Sequence, residues 1–433
     1  MNRKKPGFCS LNFLFLPFLF VFFFANTFFC QGQISIIKKN LSEKGFENLL
    51  VNSFEKRVVV AYENRVFRFE LEAIKEIIDL VVPLISDAEE LTLIPLNRKI
   101  PIILLTLKTA EYEKFKKGEI DAESFVNSLD ITNDVDIQFN KLNQKEEENS
   151  SNFKFDLVIN PSIKYQLGAF NKPFRGYFSL DPDLRSGFWK GMQIKYEEVI
   201  PLFNEFGTRD DSVHTGSVTL NQTFRLPNNL FLSSTLGVFT NDRYGFDLEF
   251  KKYFMNGDIS FGGNFGFTSY ISFSGLNRIL YNDKFIFTGN LNSEYRIQKY
   301  DLTLGLSMGK YLLDDNTIRF DINREFGEIE IGFFAMRSFG GISNGGVILT
   351  VPLFPSKYWN PSTIRPRITE TYTLSYLVTA DLKDQIGKRY NSGNRINSFI
   401  KKLNPGFIKR SLLKILQTNT DWGERWWKNQ ISF

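Results

Sequence analysis

Apolar and polar residues alternate with a period of two along residues 244–312. The first of three alternating segments has its apolar positions at Tyr244, Phe246, Leu248 and Phe250. Similar segments occupy residues 259–268 and 300–309. A period of two predicts extended strands with one apolar and one polar face. Such strands are typical of a sheet with lipid on one side and a polar interior on the other.

The same alternation extends over residues 154–380 and predicts one large antiparallel sheet. The candidate strands, about twelve in all, lie at 155–168, 188–202, 216–227, 229–240, 243–254, 257–271, 283–297, 299–312, 315–325, 327–338, 344–354 and 369–379. Long loops are predicted at 168–187, 203–215, 271–283 and 355–368. Short turns at one rim and long loops at the other favour an outer-membrane β-barrel, which an even number of strands would close.

A soluble β-sandwich or solenoid would also alternate and is the competing architecture. Tyrosines at predicted strand ends, such as Tyr244, Tyr270 and Tyr300, suit the girdle of a membrane barrel at the membrane–water interface. The predicted fold class is therefore mainly β: an antiparallel transmembrane outer-membrane β-barrel with a small N-terminal α/β periplasmic domain.

Continuing the alternation along each strand separates an outward from an inward face. The predicted outward positions include Leu220, Leu236, Phe287, Phe320 and Tyr376. The candidate lumen-lining residues on the inward face are Arg225, Asp247, Glu249, Lys251, Asn264, Asn290, Asn292, Glu294, Arg296, Arg319, Asp321, Glu328 and Glu330. Charges of both signs on neighbouring strands indicate pairing across a narrow lumen that braces the barrel. The alternative is that some of them line a path for a polar solute or polymer.

Residues 33–144 have a mixed pattern that predicts a small α/β domain. Helices are predicted over 36–50, 72–84 and 112–129, with Asp121 as a cap, and strands over 58–69, 91–96 and 100–108. No catalytic spacing is present, and the domain is interpreted as a periplasmic adaptor or interaction domain. A charged linker at 145–153 follows, because residues 145–152 (KEEENSSN) have no apolar side chain to bury.

The first 32 residues have the form of a secretory signal peptide, with a basic start and a Phe-rich apolar run. Cleavage is expected after Gly32, which would remove Cys9 and Cys30, the two cysteines of the chain. Lipidation of Cys30 and an uncleaved membrane anchor are the alternatives.

The net charge of +5 is modest for 433 residues and does not indicate a nucleic-acid binder. The excess of 46 Phe over 5 Met favours amphipathic strands.

The last stretch, residues 381–433, is a basic tail. Leu412, Leu413, Ile415 and Leu416 predict a short amphipathic helix, and three tryptophans follow it. The terminal Phe433 is compatible with a last barrel strand. A periplasmic tail lying on the membrane surface is the alternative interpretation.

The sequence offers little for catalysis. His214 is the single histidine and lies in a polar segment, where a solvent-exposed role is expected. The glycine-rich segment 340–346 lacks the Lys and Ser/Thr of a phosphate loop and is interpreted as a turn or bulge. The chain is therefore predicted not to be an enzyme and to need no cofactor or metal.

Three segments resemble the YjbH-like family of exopolysaccharide-associated outer-membrane proteins. They are MRSFGGISNGGVILTVPL (336–353), VTLNQTFRLPNNLFLSSTLGVFTNDRYGFDLEF (218–250) and SYLVTADLKDQIGKRYNSG (375–393). The resemblance covers residues 155–395 loosely and implies a role in the production or export of extracellular polysaccharide. The chain departs from the family in having room for one barrel and in its poor lipidation signal.

The expected function is that of an outer-membrane barrel assisting exopolysaccharide or capsule biosynthesis or export. A general porin or small-solute channel, and a structural or adhesion barrel, are the alternatives. The expected partners are outer-membrane lipid, the barrel-assembly machinery, and possible polysaccharide and export-complex proteins, with no nucleic acid. The expected location is the outer membrane, with the N-terminal domain in the periplasm.

Overall fold

The computed structural model describes residues 32–54, 56–85, 88–142, 147–169, 172–206, 211–274, 278–359, 363–378, 385–393, 395–396 and 403–417. The predicted signal peptide up to residue 31, part of the predicted linker and the tryptophan-containing C-terminal end lie outside these residues.

The first unit is a small α/β domain. Its elements are α1 (32–43), β1 (Glu47–Phe54), β2 (Arg57–Glu63), α2 (Glu70–Val81), β3 (Glu90–Asn97), β4 (Ile100–Pro101), β5 (Leu104–Lys108), α3 (Thr109–Lys116), α4 (Ala122–Ser128), β6 (Asp130–Thr132) and α5 (Asp136–Leu142). The six strands form one sheet in the order β1-β2-β3-β5-β6, with β4 paired to β3. Strands β2 and β3 run parallel, with α2 between them in sequence.

The apolar spacing of α2 explains how this domain packs. Leu71, Ile74, Ile77 and Ile78 fall on one face and are buried in the main core of the domain. Burying such a side chain contributes about 1.5–3 kcal/mol. The predicted cap at Asp121 is confirmed, because its Oδ1 accepts a hydrogen bond of 2.8 Å from the backbone N–H of Ser124.

The prediction of a helix over 36–50 was wrong in its second half. Helix α1 ends at residue 43, and Gly45 adopts a φ of +94°, which favours glycine. The chain then enters β1 at Glu47. The apolar residues Leu49 and Leu50 fit a buried strand as well as a helix, and the turn at Gly45 decides between the two.

The second unit is a large sheet of fifteen strands. They are β7 (Phe155–Ala169), β8 (Lys172–Ser186), β9 (Met192–Asn204), β10 (His214–Leu226), β11 (Leu230–Phe239), β12 (Arg243–Phe254), β13 (Ile259–Ser274), β14 (Arg278–Tyr281), β15 (Ile286–Ile297), β16 (Leu302–Lys310), β17 (Asn316–Phe326), β18 (Ile329–Ser338), β19 (Ser343–Pro352), β20 (Ile364–Ile368) and β21 (Thr371–Val378). Neighbours from β7 to β19 pair antiparallel in chain order, with β14 as a side branch on β13.

The two ends of this sheet meet through consecutive segments of the chain. Strand β20 pairs with β7 in parallel, and β21 pairs with β19 antiparallel. Thr369 and Glu370 alone separate β20 from β21, so the sheet is curled until its ends come together. Among the described residues its hydrogen-bonded ladder is nevertheless not closed, because the strand order begins at β20 and ends at β21. The expectation of closure by an even number of antiparallel strands was wrong.

Three predicted loops contain strands. Most of 168–187 is β8, while β14 and β20 lie within the predicted loops 271–283 and 355–368. In β8 the exposed face carries Phe174 and Leu184, but Gly176 and Pro182 occupy the same face and hide the alternation. Backbone pairing with the long strands β7 and β9 holds this segment in a strand, although its local sequence favours a strand only weakly.

The two faces of the large sheet follow the predicted alternation. Leu236, Phe267 and Leu306 are 57%, 54% and 52% exposed, whereas the adjacent Thr235 and Thr268 are buried. The outward face is thus apolar and the inward face polar, as the period of two predicts. The mainly β, antiparallel architecture is confirmed.

The short turns lie at both ends of the strands. We call the end with turns 227–229, 255–258, 298–301 and 327–328 the near rim, and the end with turns 240–242, 311–315 and 339–342 the far rim. Both Asn228 and Asn229 have a positive φ, as do Asn241 and Asp242. Two consecutive residues with a positive φ form a turn whose twist matches that of the two strands in a tight β-hairpin.

The small domain is attached to the near rim. Arg68 contacts Glu328 in the turn between β17 and β18, and Arg225 at the end of β10 contacts backbone carbonyls of the small domain. Helix α6 (Pro405–Gln417) also lies here, with Phe407 and Ile408 buried in the core of the small domain. Among the described residues, no helix is long and apolar enough to cross a membrane.

Candidate functional site

The interior of the curled sheet contains the chain's own C-terminal segment. We call residues 385–393 and 395–396 the C-terminal strap. At the far rim, Ile386 N donates 2.9 Å to Oδ1 of Asn344, and Asn391 N donates 2.8 Å to Oγ1 of Thr240. Strand β21 ends at the far rim and α6 lies at the near rim, and the described residues of the strap lie in the interior. The tail predicted at 381–433 is thus not a surface tail over its described part.

The strap is fixed to the sheet wall at Asp247 on β12. The Tyr390 hydroxyl donates a 2.7 Å hydrogen bond to the Asp247 carboxylate, and Ser392 Oγ donates to the same group at 3.3 Å. Asn264 on β13 donates to both carboxylate oxygens, at 2.9 and 3.0 Å. Four donor contacts from three side chains satisfy this buried carboxylate, which would otherwise be costly to bury.

Glycine makes room for the Tyr390 ring. A Cβ atom on Gly266 of β13 would lie 1.7 Å from the Tyr390 hydroxyl oxygen. The ring itself stacks on Phe239 with centroids 5.1 Å apart. The close approach of the strap to this part of the wall therefore depends on the missing side chain at position 266.

Further contacts fix the strap at both ends. Ile396 N donates 3.1 Å to the Glu249 carboxylate, halfway along β12. Arg389 donates 2.5 Å to the Tyr311 hydroxyl at the far rim. At the near rim, the guanidinium of Arg410 on α6 pairs with Asp301. The strap therefore contacts the wall from the far rim to the middle of β12, and α6 contacts the wall at the near rim.

Other predicted inward residues pair with one another along the wall. Lys251 on β12 lies 2.7 Å from the Glu294 carboxylate on β15, although β13 separates the two strands. Arg319 and Asp321, two residues apart on β17, form contacts of 2.6–2.9 Å. These ion pairs correspond to the bracing interpretation of the inward charges.

Two further ion pairs form where the wall meets the near rim. Arg296 pairs with the buried Glu325 on β17 and lies 3.5 Å from Asp301. Its guanidinium also lies over the Phe407 ring of α6, 5.3 Å from the ring centroid. Asp301 is thus shared between the wall and α6 and connects the two.

Two predicted lumen residues contact the small domain. Arg225 donates 2.8 Å hydrogen bonds to the carbonyls of Pro101 and Ile102. Glu328 accepts two hydrogen bonds of 2.8 Å from Arg68, which also donates to the carbonyl of Leu353. The remaining three, Asn290, Asn292 and Glu330, lie on inward positions of β15 and β18.

A buried ion network joins the small domain to the seam between β7 and β20. Arg365 on β20 contacts Glu47 of β1 at 2.5 Å and Asp156 of β7 at 2.8 Å. Arg65 lies 3.5 Å from Asp156, and Lys154 lies 3.0 Å from Glu47. The small domain thus binds β7 and β20 at once. The alternation pattern gave no signal for these contacts or for the contacts of the C-terminal strap.

His214 lies at the first residue of β10, where its Nδ1 is 2.8 Å from the carbonyl oxygen of Ser212. Within the part of the chain that the structure describes, no group of three or more His, Cys, Asp or Glu side chains is placed to hold a metal ion.

No family model matches the chain, and no curated protein matches it. A search of solved structures finds OmpTdeltaL8, a loop L8 deletion mutant of OmpT, an outer membrane protein of Vibrio cholerae. The match has 9% sequence identity and a TM-score of 0.24, and covers 45% of this chain and 85% of that one. A likeness this low does not establish a shared fold or function.

The prediction that the chain is not an enzyme was wrong to exclude catalysis. A single histidine limits mechanisms that use a histidine base, whereas carboxylates can also serve as acids and bases. The interior described above contains several carboxylates.

Proposed function

We propose that this chain is an outer membrane β-barrel protein that assists the production or export of an extracellular polysaccharide. In this proposal the strands span the membrane and the small domain lies on the periplasmic side. The observation that carries the membrane part is the apolar outward face, represented by Leu236, Phe267 and Leu306 with more than half of each residue exposed. Apolar side chains at this density suit contact with lipid.

Strand length also supports a membrane location. Most strands from β10 to β19 have 9 to 16 residues. A tilted strand needs about 9–11 residues to cross the hydrocarbon core, whereas strands of soluble proteins usually have about 5–6. The outward positions of β12 to β17 remain apolar over most of this length.

The polysaccharide part rests on the resemblance of residues 336–353 and 218–250 to the YjbH-like family. The interior is compatible with it, since Asn290 and Asn292 have buried amide oxygens without a hydrogen-bond partner among the described residues, and such groups can bind sugar hydroxyls. A general porin is a weaker candidate, because the C-terminal strap occupies the interior through Tyr390 and Ile396.

Two experiments test the two parts separately. For the membrane part, Leu306→Arg should lower the stability of the folded protein in bilayers by about 2–4 kcal/mol, whereas Leu306→Met should leave it nearly unchanged. Equal stability of the two variants would contradict the lipid-facing assignment.

For the polysaccharide part, a deletion strain should lose extracellular polysaccharide, and the wild-type gene should restore it. The matched control is complementation with Leu306→Met. Unchanged polysaccharide in the deletion strain would contradict this part and leave the membrane part standing.

A further inference from the structure

The seam between the two ends of the large sheet is paired along only part of its length. Strand β20 pairs with β7 from Ile364 to Ile368, opposite Phe155 to Ile159. A backbone hydrogen bond of 3.1 Å from Thr369 N to Ile159 O follows. Towards the far rim, β7 continues to Ala169 and β21 runs from Thr371 to Val378, and no strand pairing joins them in the described residues.

Tyrosine side chains bridge this upper part of the seam. The rings of Tyr165 on β7 and Tyr376 on β21 stack, with centroids 6.2 Å apart and planes 4° from parallel. The Tyr165 hydroxyl donates to the carbonyl of Ser375, and the Tyr372 hydroxyl donates to the carbonyl of Ile163, both at 3.4 Å. Hydrogen bonds of this length are weak, so side chains hold the upper seam more loosely than a ladder would.

The two faces of the seam differ in polarity. Ile163, Leu167 and Val378 are exposed on the outward side. Alternate positions on the inward side carry Lys164, whose Nζ lies 4.6 Å from the Tyr177 ring centroid, and Ser375. A molecule in the seam would therefore meet apolar groups towards the membrane and polar groups towards the interior.

We propose that this upper seam is a lateral passage between the barrel interior and the bilayer. Its ligand would be an amphiphile that keeps a polar headgroup inside and an acyl chain among the lipids. The inference rests on the proposed membrane location. Its physical basis is that unpaired backbone groups facing hydrocarbon cost several kcal/mol each. The tyrosine hydroxyls bind the carbonyls of Ser375 and Ile163, and the polar headgroup of an amphiphile can supply partners for other groups along an edge that has no ladder in the described residues. The neighbouring paired strands offer no such edge.

The test uses the full chain with Cys9 and Cys30 replaced by serine, in phosphatidylglycerol vesicles that contain lipids with brominated acyl chains. A fluorophore is attached to a new cysteine at one of three sites. Ser375→Cys reports on the seam, Asn323→Cys is the matched inward control on the fully paired β17, and Leu306→Cys reports on membrane insertion. We expect quenching by brominated lipid to be severalfold stronger at position 375 than at position 323.

Locking the seam gives the second readout. A thiol crosslinker joining Tyr165→Cys to Tyr376→Cys should reduce the quenching at position 375 to the level at position 323. The same crosslinker joining Leu349→Cys to Leu374→Cys, which are direct partners on β19 and β21, should leave the quenching unchanged.

The outcomes separate the two proposals. Quenching at Leu306→Cys, with equal quenching at positions 375 and 323, would overturn the lateral passage and keep the membrane location. Quenching at position 375 that survives the seam crosslink would also overturn the passage. Absence of quenching at Leu306→Cys would overturn both proposals.

Discussion

The Tyr390 hydroxyl lies 2.7 Å from Oδ2 of Asp247, so a residue near the C-terminus is bonded to a buried carboxylate inside the sheet. The partners are 143 residues apart in sequence. This bond, the stacking of Tyr390 on Phe239 and the absent side chain at Gly266 together define where the C-terminal strap meets the wall. The position of the strap in the interior of the curled sheet depends on this contact.

Removing the Tyr390 hydroxyl should loosen the strap. Tyr390→Phe takes one donor from the buried Asp247 carboxylate, which costs about 1–3 kcal/mol. Amide hydrogen exchange of residues 385–396 should become faster by about tenfold or more, because 1.4 kcal/mol corresponds to a factor of ten. Tyr281→Phe at the exposed β14 is the control and should have no effect. Unchanged exchange in Tyr390→Phe would show that Asp247 does not hold the strap.

Breaking the pair of Arg68 with Glu328 should weaken the attachment of the small domain to the near rim. Arg68→Gln removes two hydrogen bonds of 2.8 Å and a contact with the Leu353 carbonyl. The partly buried Glu328 carboxylate loses its partner, and we expect a loss of about 1–3 kcal/mol in the unfolding free energy. Denaturant unfolding measures this loss, with Arg337→Gln at the exposed far end of β18 as the control. Equal midpoints of denaturant unfolding for Arg68→Gln and Arg337→Gln would contradict the role of Arg68 in attaching the small domain.

The stability of the small domain should depend on pH through Glu70. Burial raises the pKa of the Glu70 carboxyl from an ordinary value of 4.5 to about 7. The hydrogen bond that Asn64 donates to this carboxyl lowers the pKa, but burial has the larger effect. Between these pH values the folded chain binds a proton that the unfolded chain releases. Stability should therefore fall by up to about 3 kcal/mol as the pH rises through this window and change little above it.

The variant Glu70→Gln isolates this effect. It keeps the shape of the side chain and has no proton to lose, so the pH dependence between 4.5 and 7 should flatten. Amide hydrogen exchange of β2 and α2 between pH 4.5 and 7 measures the stability of the small domain. Glu113→Gln on the exposed side of α3 serves as the control. A wild-type stability that does not change between pH 4.5 and 7 would contradict the raised pKa of Glu70.

The alternation of side chains predicted the large sheet because each strand buries one face and exposes the other. Leu236 and Phe267 are exposed and Thr235 is buried, as a period of two requires. The same reasoning missed β8, since Gly176 and Pro182 interrupt its apolar face. It also could not predict the parallel pairing of β20 with β7, because register between distant strands has no local signal.

The interior was predictable only in part. The phase of each strand placed Asp247, Glu249 and Lys251 on the polar face, where the structure has them. The partners of Asp247 and Glu249 are Tyr390, Ser392 and Ile396, which lie in or beside a polar, glycine-containing segment without periodicity. Contacts between segments more than a hundred residues apart depend on the whole fold, and no pattern along the chain encodes them.

The most direct test of an interior occupied by the C-terminal strap is the conductance of the purified protein in planar bilayers. Gly266→Val places a side chain where the Tyr390 hydroxyl lies and should displace the strap. Gly305→Ala is the matched control, because its Cβ would lie 3.4 Å from Asp321 Cβ, an ordinary contact. The account predicts little conductance for the wild type and for Gly305→Ala, and stable open channels for Gly266→Val. Equal conductance of the wild type and Gly266→Val, whether open or closed, would contradict it.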